Sequence, residues 1–191
     1  NKNLLFEGKY IKGERNGKGK EYYNNELIFE GEYLNNKRWN GKGKEYDKET
    51  NILIYEGEYL NGEKNGNIKE YNKNNGYLIL EGEYLNGKKN GHIKEYDLVN
   101  ETLIIEGEYL NGEKNGNIKE YDRNKNLLFE GKYIKGERNG KGKEYYNNEL
   151  IFEGEYLNNK RWNGKGKEHS KCRLIYEGEY LNGERNGKGK E

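Results

Sequence analysis

The dipeptide Glu-Gly returns eight times, with its glycine at Gly8, Gly31, Gly57, Gly82, Gly107, Gly131, Gly154 and Gly178. The intervals are 23, 26, 25, 25, 24, 23 and 24 residues. A period in this range marks a stack of supersecondary units, each too small to bury its own apolar face. The repeats begin near Leu4, Leu27, Leu53, Leu78, Leu103, Leu127, Leu150 and Leu174, and together read as a single array over residues 1–191. A longer period is superposed. Residues 1–45 recur unchanged at 124–168, after which Tyr46 becomes His169 and the copies diverge. Duplication of a five-repeat block accounts for this pattern.

Within one repeat the period is two. In "LLFEGKYI", Leu4, Phe6, Gly8 and Tyr10 share one face, and Leu5, Glu7, Lys9 and Ile11 share the other. That alternation is a strand signal, and no 3.6-residue pattern competes with it. "KGERNG" follows, with Asn16-Gly17 read as a tight hairpin turn because Asn-Gly tolerates positive φ. "KGKEYY" (Lys18–Tyr23) is then the returning strand. The segment between hairpins varies in length, whereas the segment within a hairpin gains a residue only in the second and seventh repeats. Trp39 and Trp162 appear there, and the sequence places them in extended turns. The expected fold is all-β: an elongated, single-layer, twisted antiparallel sheet of about eight consecutive hairpins.

Such a sheet has no globular core to build. Only 30% of residues are hydrophobic and 36% are charged, which approaches the composition of disordered chains. Nineteen Tyr and a net charge of +1 argue for order. Burial is therefore expected along the sheet. Phe6/Tyr10, Phe29/Tyr33 and Tyr55/Tyr59 form an aromatic file, with rings lying over the bare backbone at glycines. End repeats should fray, and several repeats are needed for stability. No apolar run approaches the roughly 18–20 residues that span a bilayer. The lone Cys172 excludes an internal disulfide and fits a reducing compartment. A chain opening on Asn reads as part of a longer array, so a missing leader is uninformative.

"YEGEYLNGEKNGN" from Tyr55 and "YEGEYLNGERNGKG" from Tyr176 resemble the MORN repeat (membrane occupation and recognition nexus). The resemblance extends over all eight repeats. It implies a meander of hairpins with roles in scaffolding, dimerisation, or tethering near membranes and cytoskeleton, in the cytoplasm. Departures are concentrated in the middle. Rings before the Glu are lost at Leu80 and Ile105, and the second-strand glycine becomes Ile68, Ile93 and Ile118. A bacterial group with MORN-like hairpins, the YwqK-type antitoxins, is also similar.

Catalysis finds no support in the residues. Ser170 is the single serine, and His92 and His169 lie more than three repeats apart. One Cys and two His do not make a zinc site, and the glycines follow no phosphate-loop pattern. Glutamate pairs such as Glu56/Glu58 recur in most repeats and read as a solvated stripe, since a catalytic pair needs one distinct pocket. No cofactor, metal, nucleic acid or small-molecule substrate is expected. The windows from the turn to the second-strand Lys carry +21 in total against +1 for the whole chain. Two readings remain open: cross-strand Glu–Lys pairing, or an edge that attracts anionic lipid or an acidic partner. The lipid reading uses Lys37, Arg38, Lys42, Lys160, Arg161 and Lys165. Partner proteins, or a second copy forming a homodimer, would use Trp39 and Trp162 with Tyr33, Tyr59, Tyr84 and Tyr156. The two Trp rings either fold over their own turns or dock a partner. Asn100-Glu101-Thr102 is a sequon expected by chance in so Asn-rich a chain.

Overall fold

A computed structural model of the chain describes residues 4–170 and 173–191. Cys172 lies outside the described residues. Every element is a strand: β1 (Phe6–Ile11), β2 (Glu14–Tyr23), β3 (Glu26–Leu34), β4 (Lys37–Tyr46), β5 (Leu53–Leu60), β6 (Glu63–Tyr71), β7 (Leu78–Leu85) and β8 (Lys88–Tyr96). They continue with β9 (Leu103–Leu110), β10 (Glu113–Tyr121), β11 (Leu127–Ile134), β12 (Glu137–Tyr146), β13 (Glu149–Leu157), β14 (Lys160–Ser170), β15 (Arg173–Leu181) and β16 (Glu184–Lys190). Strand order in the sheet follows chain order, so the fold is one open antiparallel meander of sixteen strands. Its contacts group into two compact parts, one running to Gly91 and joined by Leu98–Glu101, the other formed by His92–Asp97 and Thr102–Glu191.

The turn lies four residues earlier than Asn16-Gly17. Lys12 (φ 51°) and Gly13 (φ 81°) make a two-residue connection with both residues left-handed, and β2 already begins at Glu14. Such a turn matches the right-handed twist of the strands it joins. Asn61-Gly62, Asn86-Gly87, Asn111-Gly112 and Asn182-Gly183 repeat it. Asn16-Gly17 instead belongs to a bulge: Tyr10 faces Arg15 but Gly8 faces Gly19, so β2 carries extra residues against β1. Gly17 takes φ 78° there. The extra residue of the second repeat is likewise absorbed in a bulge and not in the turn. Glu32 pairs with Asn40 and Tyr33 with Arg38, which leaves Trp39 as the unpaired residue of β4. Trp162 holds the same place in β14, between Asn163 and Arg161.

In the first part, Phe29, Tyr33 and Tyr55 are buried on one face of the sheet. Phe6 meets Tyr33 of the following repeat edge-on at 5.0 Å, and Phe29 meets Tyr59 at 5.8 Å. In the second part Phe129 meets Tyr156 at 5.3 Å and Phe152 meets Tyr180 at 5.7 Å. Each edge-on pair is worth about 0.5–1.5 kcal/mol beyond its area. Room for the rings comes from the glycines. A Cβ on Gly142 would sit 2.8 Å from the Phe129 ring and 3.2 Å from Tyr156 of the next repeat. Where the ring is missing, the glycine is missing too: Leu80 and Ile105 occur in repeats whose second strand has Ile93 and Ile118, both fully buried. In these two repeats an aliphatic pair fills the volume that a ring over a second-strand glycine fills in the repeats of Phe6, Phe29, Phe129, Phe152 and Tyr176, while the third repeat keeps both the Tyr55 ring and Ile68.

Candidate functional site

The two faces of the sheet carry different chemistry. On the aromatic face the last Glu of most second strands serves the following repeat. Glu21 accepts the Tyr33 hydroxyl at 3.0 Å and Arg38 Nε at 2.9 Å. Glu144 takes Tyr156 and Arg161 in the same way, both at 2.9 Å. Glu120 takes Tyr133 at 2.8 Å and Arg138 at 2.6 Å, and Glu168 takes Tyr180 and Arg185 at 2.7 Å. The same arginines cap their own repeat's ring, with Arg38 at 4.9 Å from Phe29 and Arg138 at 4.0 Å from Phe129. Burial alone would raise Glu21 and Glu120, but the cations and phenols beside them hold both below the usual carboxylate range. Hydrogen bonds from Arg185 and Tyr180 bring Glu168 down to about 2. Burial, with the Glu120 and Glu168 carboxylates close by, pushes the Tyr133 and Tyr180 hydroxyls up to about 12.

This arrangement relocates several residues singled out in the sequence. Arg38 and Arg161 do not stand on a basic edge; they are half-buried on the aromatic face, each bound to a glutamate of the preceding repeat. Tyr33, Tyr59 and Tyr156 are buried, with their hydroxyls given to Glu21, Glu45 and Glu144. Tyr84 is partly exposed. Trp39 and Trp162 are partly exposed too, and their rings lie on the turn of the next repeat. A Cβ at Gly62 would meet the Trp39 ring at 3.3 Å, and one at Gly183 would meet Trp162 at 3.5 Å. Gly62 N–H donates to the Trp39 carbonyl at 2.8 Å and Gly183 N–H to the Trp162 carbonyl at 2.9 Å. Lys37, Lys42, Lys160 and Lys165 are exposed.

The opposite face is a lattice of charge. Glutamates flank the glycine on most odd-numbered strands, with Lys9 and Lys132 in place of the second Glu on β1 and β11. Lysines flank the second-strand glycine on β2, β4, β12, β14 and β16, whereas β6, β8 and β10 carry Asn67, His92 and Asn117 on one side. Lys20 faces Glu30 at 3.2 Å, Lys42 faces Glu58 at 2.8 Å, and Lys143 faces Glu153 at 3.4 Å. Lys42 is 80% exposed, so water screens such pairs and each contributes little to stability. In the second part a groove of about 820 Å³ crosses this face from His92 on β8 to Glu155 on β13. Glu106, Glu108, Glu130, Glu153 and Glu155 outnumber Lys119, Lys141 and Lys143 along its sides. Glycines and Ile118 lie along its floor. His92 stands between two glutamates, Nε2 at 3.4 Å from Glu106 and Nδ1 at 3.5 Å from Glu108. Among the described residues no three His, Cys, Asp or Glu converge on a metal position.

An open sheet built from stacked hairpins, with one face closed by rings and the other left charged, defines a repeat protein of the interaction-module type. A family model described as MORN repeat matches residues 6–27, 55–67, 81–92, 129–150 and 176–191, and the chain is a MORN-repeat protein. MORN repeats in general are non-catalytic scaffold modules for protein or membrane interaction. No curated protein matches the sequence.

Sequence reasoning missed the shared glutamates Glu21, Glu120, Glu144 and Glu168. A signal was available: Glu21–Arg38, Glu144–Arg161 and Glu168–Arg185 all stand 17 residues apart. It missed the bulge position of the Trp residues because length variation marks an insertion without saying which side of the turn absorbs it.

Proposed function

We propose that this chain is a non-enzymatic scaffold that binds other proteins, or a second copy of itself, through the uncovered charged face of its sheet. The observation that carries this reading is the division of labour between faces. The aromatic face is consumed by contacts between neighbouring repeats, as with Tyr156 on Phe129 and Glu144. The charged face has its glutamates and lysines outward, and in the second part it forms a groove long enough to hold a peptide. The repeated Glu pairs lie on this open face and not in a dry pocket, which suits recognition better than acid–base chemistry.

Tethering to anionic lipid is the second reading, favoured by the exposed Lys37 and Lys160 beside the turns. It is weakened by the engagement of Arg38 and Arg161 with Glu21 and Glu144. Co-sedimentation with anionic vesicles at two salt concentrations separates the two. The scaffold reading expects no salt-sensitive retention on vesicles, and expects a partner captured from the native source to rebind when both are pure. Retention at low salt that is lost at high salt, with no rebinding partner, favours the tether. Light scattering across a concentration series tests the self-association arm.

A further inference from the structure

We propose that the groove from β8 to β13 is a docking site for an extended cationic segment of a partner protein, with Lys or Arg side chains reaching Glu106 and Glu108. The proposal rests on the scaffold reading and specifies its partner. The residue just before the second-strand Gly or Ile is Lys18, Lys42, Lys141, Lys165 and Lys188 in five repeats, but Asn67, His92 and Asn117 in the three middle ones. Two of these exceptions, His92 and Asn117, line this groove together with the Glu106–Gly107–Glu108 segment. Elsewhere on the face an ammonium neutralises the glutamates, as Lys42 does for Glu58 and Lys143 for Glu153. Here an imidazole takes that place beside both carboxylates. The groove is therefore short of cations compared with the rest of the face.

The floor adds a second constraint. Backbone groups along it are engaged in the strand ladder, as in the pairing of Ile118 with both Gly107 and Gly131. Main-chain hydrogen bonding to a guest is thereby disfavoured, and recognition falls to the charged sides. Glutamates recur on every second strand, about 9.6 Å apart at the usual strand spacing. A guest in the polyproline II form of extended chain rises about 3.1 Å per residue with three residues per turn, so every third side chain returns to the same side and meets the next glutamate row. The intervening residues face Lys119 and Lys143 and would be neutral or acidic. A guest with one cation in every three positions fits these sides; an acidic guest does not.

Fluorescence anisotropy on the whole 191-residue chain tests this, using a labelled peptide with Lys at every third position and Gly or Ser between. A matched peptide with Glu in place of Lys is the control. Asn117→Lys and His92→Lys restore the residue that five other repeats carry, so the fold accommodates them; circular dichroism verifies it. Each should weaken binding of the Lys peptide about fivefold, in line with one added repulsion of about 1 kcal/mol. Glu108→Gln, which adds no bulk, should weaken it by a similar factor. Lys-peptide affinity unchanged in all three variants, or a Glu peptide bound as tightly, overturns the proposal. If the Lys peptide fails to bind while a purified partner still does, the cationic guest is wrong and the scaffold reading survives; loss of both defeats both.

Discussion

At the residue scale, the glutamate near the end of most second strands holds two repeats together. Glu120 is the clearest case, because it receives Lys114 from its own repeat and Tyr133 and Arg138 from the next. Glu120→Gln keeps the shape but removes the charge. We expect a loss of about 1–3 kcal/mol, the usual cost of leaving charged donors poorly matched, read as a lower urea midpoint. An unchanged midpoint would mean that Arg138 finds an equivalent partner. Glycines divide into two kinds. Gly136 is left-handed (φ 80°) with open space around it, so Gly136→Ala carries only a backbone penalty of about 1–2 kcal/mol. A Cβ at Gly131 would lie 2.6 Å from the Gly142 backbone and 2.7 Å from the Phe129 ring. Gly131→Ala must spread β11 from β12 and should be clearly the more damaging of the two by thermal melting.

At the scale of the element, the hairpin was legible and its details were not. Alternation of Leu4, Phe6, Gly8 and Tyr10 fixes the strand and the buried face, because side chains on a strand alternate. The turn was ambiguous because Gly13 and Gly17 both take positive φ, and a sequence does not say which glycine joins strands and which sits in a bulge. The bulge also decides the fate of Arg38. Counted by simple alternation across the inserted Trp39, its face cannot be assigned, so its pairing with Glu21 stayed hidden. The uncovered face was foreseeable as Glu–Lys pairing, whereas the groove was not, since it depends on how β8 to β13 lie side by side in space, which periodicity does not encode. The middle repeats offer a test of the packing swap. Ile118 is 1% exposed beneath Gly107, and Ile118→Ala should cost about 2–5 kcal/mol by chemical denaturation. A cost below about 1 kcal/mol would show that the aliphatic pair is not the substitute for a ring over glycine.

At the scale of the whole molecule, stability comes from repetition, and pH exposes it. Glu21, Glu120 and Glu168 have folded-state values depressed below the ordinary carboxylate range. Their contribution is complete above that range and is lost as pH falls through the folded values, about 2 for Glu168. Tyr133 and Tyr180 are raised to about 12, so the stability they lend is complete below the ordinary phenol value and lost as pH climbs toward 12. Urea midpoints across pH should therefore form a plateau from about pH 5 to pH 9 and fall on both sides. The alkaline fall should coincide with tyrosinate absorbance, because buried hydroxyls ionise as the sheet opens. A midpoint that rises steadily from pH 5 to pH 3 would reverse the sign assigned to these glutamates.

The duplicated block supplies a control inside the molecule. Residues 4–45 and 127–168 are identical in sequence, yet Tyr10 is 54% exposed and its counterpart Tyr133 only 4%. Tyr133 has Glu120 of a preceding repeat to receive its hydroxyl. The most direct measurement is amide hydrogen exchange by NMR, comparing β1–β2 with β11–β12 in the 191-residue chain. If repeats hold one another in place, amides of β11 and β12 should exchange at least about tenfold more slowly than their sequence twins, a difference of about 1.4 kcal/mol in local opening. Equal protection of the two copies would contradict the account, because each hairpin would then be stable on its own residues alone.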